Sequence, residues 1–362
     1  MENPATLATA VAWGAFALAF VFGAVAHKTN FCTMGAVSDW VNMGDTNRMR
    51  MWVLAIGVAV LGSNALHLMG IVDLSKSIYL SPNFTWLSYI VGGFVFGVGM
   101  TLGSGCGSKT LIRIGGGNLK SVVVFLVAGI AAYMTLRGIL GAFRVGVLEK
   151  ASATLSTGQD LPSLFGLSRL WLSVLVGGAL VAWAYSAKDF RSDFNYTLGG
   201  VVTGLVVVGG WYVSGHIGHM AEHPQTLDEA FVGTNTGRME AFSFVAPLAW
   251  TLEYLMLWTD KTRVVTYGIA SVAGVILGSF AYALAAGKFR WESFRDAEDT
   301  GMHMIGGLLM GFGGITALGC TIGQGISGFS TLALGSIMTF VAIVAGSAAT
   351  MKWQYWRLTR EG

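Results

Sequence analysis

The stretch GGFVFGVGMTLGSGC (residues 92–106) returns 214 residues later as GGLLMGFGGITALGC (residues 306–320). In both copies a glycine pair begins fourteen residues before the cysteine, and single glycines stand nine and seven residues before it. The third cysteine, Cys32, also follows a glycine by nine residues. A fainter copy begins at Gly199 and has Val213 in place of the cysteine. The pattern predicts four related hairpin-like units, three of them tipped by a thiol.

The composition indicates a membrane protein. Of 362 residues, 54% are hydrophobic and 11% charged, whereas soluble proteins have about 25% charged residues. Residues 51–72, 119–141, 167–187, 264–285 and 329–350 are each roughly long enough to cross a hydrocarbon core of about 30 Å. Such segments must be helical, because lipid offers the backbone no hydrogen-bond partners. We expect an all-α polytopic membrane protein with nine or ten spanning helices and several short re-entrant half-helices.

The repeat suggests one transporter domain over residues 1–362, built from two pseudo-symmetric halves. The first half covers about 1–150, a polar connector covers about 142–166, and the second half covers about 167–362. Residues 5–25 are expected to be a retained first helix, because no basic region or cleavage site marks a signal peptide. The net charge of +3 gives no indication of a nucleic-acid partner.

A helix break is expected at each cysteine. Residues 26–39 are too polar to span the membrane, which predicts a re-entrant loop with Cys32 at its turn and a short helix from about Thr33. The helix over 84–103 should end at the glycines before Cys106, since glycine permits the necessary backbone conformations.

The broken helices should resume just after the cysteines. Ser108 is a reasonable N-cap for a half-helix that reaches Ile114, and a second half-helix should follow Gly323. Broken helices in corresponding places of two halves are typical of transporters whose binding site lies near the membrane midplane.

The residues around these breaks are candidate ligands for a solute. The N-terminus of a half-helix offers free N–H groups and the positive end of a dipole, which suit an anion. Thiols suit a sulfur-bearing solute or a soft metal, and they should remain protonated if an anion is to pass. The candidates are Cys106 with Gly105, Gly107, Ser108 and Lys109; Cys320 with Gly319, Thr321 and Gln324; and Cys32 with Asn30 and Lys28.

Three segments resemble the cysteine motifs of the YeeE/YedE membrane transporter family. They are NFCTMGAVSD (30–39), LGSGCGSKTLIRIGGGN (102–118) and LGCTIGQGISG (318–328). The resemblance covers essentially the whole chain. It implies an importer of a small sulfur-containing anion, thiosulfate foremost, in a bacterial inner membrane, with an hourglass of spanning helices and short helices that point inward.

The resemblance also implies roles and partners. Cys106 and Cys320 would lie on the central path and Cys32 on the adjacent loop, each contacting the anion through thiol hydrogen bonds. No cofactor or resident metal is implied, and the surroundings are the lipid bilayer. A small cytoplasmic sulfurtransferase of the TusA type would accept the sulfur. Some members of the family are tied to selenium or other sulfane-sulfur compounds, so the substrate class is better defined than the substrate.

Other functions remain open from the residues alone. The three cysteines and sixteen methionines could line a Cu(I) conduit, although no M-x-x-M ladder accompanies the thiols. A membrane thiol sulfurtransferase or oxidoreductase could use Cys106 and Cys320 as a reactive pair. The segment GSGCGSKT (103–110) departs from a phosphate-binding loop, because Ser108 replaces the second glycine and no β-strand precedes it.

Two further groups of ionisable residues stand out. His216, His219 and His223 could bind a metal or sense pH, but a polar loop that caps a vestibule explains them equally well. Glu253 lies inside the predicted helix 241–258. An ionisable residue within a membrane helix is a functional candidate, here for proton coupling.

Overall fold

The computed structural model describes residues 3–361, which form fifteen α-helices in an all-helical membrane fold. In chain order they are α1 (Pro4–Lys28), α2 (Thr33–Ser38), α3 (Asn47–Leu68), α4 (Trp86–Leu102), α5 (Gly107–Gly115), α6 (Leu119–Arg137), α7 (Ile139–Phe143), α8 (Leu161–Phe165), α9 (Arg169–Ala184), α10 (Lys188–Ser192), α11 (Phe194–Tyr212), α12 (Ala246–Met256), α13 (Tyr267–Ala285), α14 (Ala297–Thr316) and α15 (Leu334–Glu361).

Short irregular elements join these helices. Wider, π-helical turns cover Asp39–Met43, Arg144–Leu148, Val213–Ile217 and Gly323–Gly328, and a 3-10 turn covers Leu74–Lys76. Two antiparallel strand pairs cross the loops: β1 (Asn83–Phe84) with β2 (Ala153–Thr154), and β3 (His219–Met220) with β4 (Ala230–Phe231).

Seven segments within residues 3–361 are long and apolar enough to cross a membrane, fewer than the nine or ten spans expected. They are Pro4–Met43, Asn47–Leu68, Trp86–Gly115, Leu119–Arg137, Phe194–Ile217, Tyr267–Ala285 and Leu334–Arg357. The shorter α9 has 16 residues, and α14 opens with an acidic turn. The predicted helix 241–258 begins only at Ala246 and has 11 residues, because Pro247 favours a helix start there; residues 241–245 form irregular backbone.

Polar caps begin several of the long helices. Asn118 accepts the Ser121 N–H at 2.9 Å at the start of α6, and Asp296 accepts the Asp299 N–H at 2.8 Å at the start of α14. Side-chain oxygens at these positions satisfy N–H groups that have no partner within the helix. The residues near each helix start therefore determine where these helices begin.

The two glycine-rich copies lie on α4 and α14 and pack against each other. A Cβ at Gly92 would lie 2.9 Å from the Gly313 carbonyl oxygen, and one at Gly313 would lie 2.7 Å from the Gly92 carbonyl oxygen. A Cβ at Gly99 would lie 2.8 Å from the Gly306 carbonyl oxygen, and the converse distance is also 2.8 Å. The glycines therefore let two helices approach backbone to backbone.

These contacts are reciprocal and antiparallel. The glycine fourteen residues before one cysteine meets the glycine seven residues before the other, in both directions. Reciprocity of this kind is what a two-fold axis produces. Pseudo-symmetry of the complete halves stays a prediction.

The remaining loops differ from a simple repeat. The fourth, cysteine-free copy does not break at Val213, because α11 continues through a π-helical turn to Ile217. Glu253 does lie in a helix, α12, but its carboxylate binds Arg263 at 3.1 Å and the Tyr133 hydroxyl at 3.2 Å. Its charge is therefore neutralised locally.

Candidate functional site

The same turn precedes all three cysteines. Two positions before each one, a residue other than glycine adopts the left-handed conformation: Asn30 (φ 52°), Ser104 (φ 57°) and Leu318 (φ 58°). The next residue donates its N–H to the carbonyl five positions earlier, at 3.0, 2.8 and 2.8 Å respectively. This is the Schellman arrangement that ends a helix. Each cysteine thus stands directly between the end of one helix and the start of the next.

The cysteines themselves begin the short helices. Cys32 Sγ accepts the Gly35 N–H at 3.4 Å, and Cys320 Sγ accepts the Gly323 N–H at 3.4 Å. At the first repeat the expected cap, Ser108, is wrong, since Cys106 occupies the N-cap position of α5. The Ser108 hydroxyl instead lies 3.3 Å from Cys106 Sγ.

Phe244 joins the two central cysteines. Its N–H donates to Cys320 Sγ at 3.2 Å, while its carbonyl oxygen lies so close to Gly107 that a Cβ there would overlap it. Gly107 is the residue immediately after Cys106. A single residue of irregular backbone therefore separates the start of one half-helix from the thiol that begins the other.

The Cys320 thiol is an acceptor and a potential donor at once. Its sulfur accepts N–H groups from Phe244 and Gly323, and the Ser243 hydroxyl lies 3.9 Å away. Burial raises the pKa of the Cys320 thiol, although the Gly323 N–H opposes that shift. The thiol therefore stays protonated near neutral pH, and its S–H proton can be offered to an anion.

Buried polar atoms without partners surround the thiols. Among residues 3–361, the hydroxyls of Thr321, Tyr79 and Thr33 and the side-chain carbonyl of Gln324 have no hydrogen-bond partner. Leaving such a group unpaired costs about 1–3 kcal/mol. Thr321 and Gln324 are 0% and 1% exposed. These atoms are available to a polar solute at the second half-helix.

A hydrogen bond links the Cys32 loop to the Cys106 half-helix. Lys109 Nζ donates to Asn30 Oδ1 at 2.6 Å. A Cβ at Gly105 would lie 3.1 Å from Lys109 Cγ, so the absence of a side chain at Gly105 leaves room for the Lys109 side chain. Asn30, Gly105 and Lys109 are thus brought together from two parts of the chain.

A cavity of about 700 Å³ opens next to this lysine. Its lining includes Lys28, Lys109, Arg113, Lys288 and Arg290, against a single lining carboxylate, Glu292. We call it the basic cavity. Its charge suits the attraction of small anions.

A second cavity of about 230 Å³ lies beside Gly319 and Ser243. It is lined mostly by apolar side chains, with Glu240, Arg144 and Arg238 among its polar members. We call it the Glu240 cavity. The two cavities lie at opposite ends of the bundle: α6 starts at the basic cavity and ends at the Glu240 cavity, and α13 runs the other way.

The three thiols line neither of these cavities. Cys32, Cys106 and Cys320 are 4%, 1% and 0% exposed. Aromatic rings pack nearby: Phe22 stacks on Phe244 at 5.9 Å between ring centroids. The thiols are therefore buried in the protein interior, apart from both cavities.

Comparison with known proteins follows this geometry. A family model described as Sulphur transport matches residues 28–349, which include all three cysteine turns. The chain belongs to the sulphur-transport family. This is the YeeE/YedE family that the cysteine motifs resemble.

Two curated relatives span nearly the whole chain. The thiosulfate transporter TsuA of Spirochaeta thermophila is 28% identical over 358 residues, covering 95% of this chain and 99% of the relative. The thiosulfate transporter TsuA of Escherichia coli is 27% identical over 344 residues, covering 93% and 87%. Membership of the sulphur-transport family confirms a multi-pass membrane transporter of sulfur compounds and not an enzyme.

Within this sulphur-transport fold, the sequence does not reveal several residues around Cys320. Phe244 and Ser243 lie in the predicted helix 241–258, whereas the structure has them in an irregular segment against Cys320. Tyr79 lies in the α3–α4 loop, and its hydroxyl would be 3.3 Å from a Cβ at Gly323. No local signal marks these residues, because they reach the site only through tertiary packing.

The histidine cluster of this sulphur-transport protein is not a metal site in the described residues. No group of three His, Cys, Asp or Glu side chains between residues 3 and 361 is arranged to hold an ion. His219 binds Glu229 at 2.6 Å, and Lys76 joins the same carboxylate. His219 and Lys76 thus share the Glu229 carboxylate at the protein surface.

Proposed function

We propose that this chain carries thiosulfate across the membrane between the basic cavity and the Glu240 cavity, past Cys106 and Cys320. One observation carries the proposal: Cys106 and Cys320 each stand at the start of a half-helix, and the two starts meet at the backbone of Phe244. Cys32 would act from the adjacent loop, joined to the path by Asn30 and Lys109. The names of the two TsuA relatives point to the same solute.

The groups around Cys106 and Cys320 fit a sulfur anion. Thiosulfate presents a soft, weakly hydrated terminal sulfur together with sulfonate oxygens. S–H groups and half-helix N–H groups can donate to the sulfur end, and hydroxyls such as that of Thr321 can donate to the oxygens. A neutral thiol adds no negative charge to the path of an anion.

The same residues are less well suited to a metal conduit or a thiol enzyme than to an anion transporter. A nucleophilic thiol needs a lowered pKa, whereas burial raises the pKa of Cys320. A relay of neutral donors therefore explains the arrangement more directly.

Import of thiosulfate must overcome the membrane potential. Each negative charge that enters a cell costs about 2.3 kcal/mol per 100 mV of negative-inside potential, so a dianion costs about 4.6 kcal/mol. A steep inward concentration gradient or a coupled cation must offset this cost. A cytoplasmic sulfurtransferase of the TusA type, which we propose as the acceptor, would help by keeping internal thiosulfate low.

The direct test is uptake of sulfur-labelled thiosulfate by cells that lack other importers and express this chain. We expect saturable uptake that excess unlabelled thiosulfate blocks and sulfate leaves unchanged, because sulfate lacks the soft sulfur. Cu(I) accumulation should equal that of cells without the chain. A well-expressed protein that takes up no thiosulfate, or that accumulates copper, would refute the proposal.

Lys109 should concentrate the anion at the basic cavity. Replacing Lys109 with glutamine should raise the KM for thiosulfate by roughly tenfold, the equivalent of about 1.4 kcal/mol of binding, with little change in maximal rate. Added salt should narrow the difference between variant and parent, because it screens the lost charge. Uptake rates across a thiosulfate concentration series measure both quantities.

Lys120→Gln is the matched control. Lys120 pairs with Asp299 at 2.7 Å and does not line the basic cavity. An equal rise in KM in both variants would show that general surface charge, and not the position of Lys109, sets the affinity.

A further inference from the structure

We propose that Glu240 is the proton-binding group of a proton-coupled transport cycle, taking up one proton with each anion that occupies the Cys320 site. This rests on the proposed function and adds the coupling ion to it. The carboxyl is placed for the task by its cavity, its burial and the absence of a cationic partner.

Glu240 is an unusual carboxyl in its position. Glu240 is 4% exposed, yet it forms part of the wall of the Glu240 cavity. Ser243 and Gly319, which lie beside Cys320, belong to the same wall. Water in the cavity can therefore exchange protons with the carboxyl. An anion held by Cys320 would lie close to the Glu240 carboxyl.

The groups that face Glu240 leave its charge uncompensated. Its carboxylate accepts the Asn235 N–H at 3.0 Å, and Thr236 adds a side-chain hydrogen bond. No Lys or Arg among residues 3–361 forms an ion pair with it. Arg238 and Arg144 line the same cavity, but the guanidinium of Arg144 is bound to Glu149 and to the Thr135 carbonyl.

Two tyrosines complete the surroundings. The hydroxyls of Tyr79 and Tyr267 are buried and have no partner in the described chain, and Tyr267 lines the cavity. Burial raises the pKa of Tyr79 well above its ordinary value, so this phenol stays neutral. Neither tyrosine supplies positive charge that would hold Glu240 ionised.

Burial raises the pKa of Glu240 to about 7, against weaker lowering by Asn235 and Thr236. The carboxyl is therefore neutral below pH 7 and charged above it. An anion at Cys320 repels the charged form, so it favours proton binding, and by linkage the bound proton favours the anion equally. Proton and anion thus bind together.

Glu253, the carboxyl that the sequence favoured for this role, is differently placed. Its carboxylate binds Arg263 and the Tyr133 hydroxyl, and it does not line the Glu240 cavity. It serves as the matched control.

The test uses the full-length protein in liposomes that contain a pH-sensitive dye, with valinomycin and equal potassium on both sides to hold the potential at zero. Adding labelled thiosulfate outside should acidify the interior in step with label uptake. Glu240→Gln, a fixed neutral mimic of the protonated carboxyl, should take up label without acidification. Glu253→Gln should acidify like the parent.

The pH profile gives a second readout. Initial uptake by the parent should fall about tenfold between pH 6 and pH 8, set equal on both sides of the membrane, as the carboxyl loses its proton around pH 7. Glu240→Gln should show a flat profile. If Glu240→Gln does not fold, Glu240→Asp should keep acidification and shift the midpoint of the profile to lower pH.

The outcomes separate the two proposals. Label uptake without acidification in the parent overturns proton coupling and leaves thiosulfate transport standing, as does full acidification in Glu240→Gln. An unchanged pH midpoint in Glu240→Asp also removes Glu240 from the role. Absence of label uptake by a folded parent overturns the transport function itself.

Discussion

Replacing Cys106 or Cys320 with alanine is expected to reduce thiosulfate uptake by one to two orders of magnitude. Each change removes a hydrogen-bond donor to a charged solute on the proposed path. Such an interaction is worth about 1.5–3 kcal/mol. The loss of volume is small, so the fold should persist. Labelled uptake by matched amounts of purified protein in liposomes measures the effect.

Serine variants and a cysteine-free position provide the controls. Cys106→Ser and Cys320→Ser keep a donor of similar size and should retain more uptake than the alanine variants. Val213→Ala, at the corresponding place of the fourth copy, should leave uptake near the parental rate. Cys32→Ala should cost less than either central change, because Cys32 lies on the adjacent loop. Full uptake in both central alanine variants would exclude the relay.

Replacing Gly107 with alanine should abolish uptake even though no chemical group is removed. A Cβ at this position would overlap the Phe244 carbonyl oxygen, and backbone at that point cannot yield without moving the N–H that binds Cys320. Overpacking of this kind costs typically 1–3 kcal/mol. We therefore expect a lower thermal midpoint together with loss of transport, measured on the same preparation.

Gly178→Ala is the control for the added methyl group. Gly178 lies inside α9, and a Cβ there would meet nothing within 4 Å. Alanine is also the better helix former, so the midpoint should stay the same or rise. If Gly107→Ala transports at the parental rate, Phe244 does not couple the two half-helices in the way the structure indicates.

The sequence revealed the parts of the site that repeat. Three cysteines in one local pattern were enough to predict helix breaks at Cys32, Cys106 and Cys320, and the structure has a break at each. Hydropathy was enough for the membrane fold. These features are encoded within about fifteen residues, so they can be read without knowledge of tertiary contacts.

The missed parts are non-local. Phe244 reaches Cys320 across 76 positions of chain, and its segment is irregular although its composition favours a helix. The burial of Glu240 cannot be inferred from the sequence of a polar loop. We propose Glu240, in place of Glu253, as the carboxyl whose proton responds to the solute.

The glycine contacts of α4 bear on how the protein is made. One face of this helix is covered by α14, through Gly92 and Gly99, and another by α15, where a Cβ at Gly93 would lie 2.8 Å from the Thr339 carbonyl oxygen. Both covering helices are synthesised near the end of the chain, long after α4. A nascent chain therefore cannot enclose the helix break at Cys106 until its last helices are inserted.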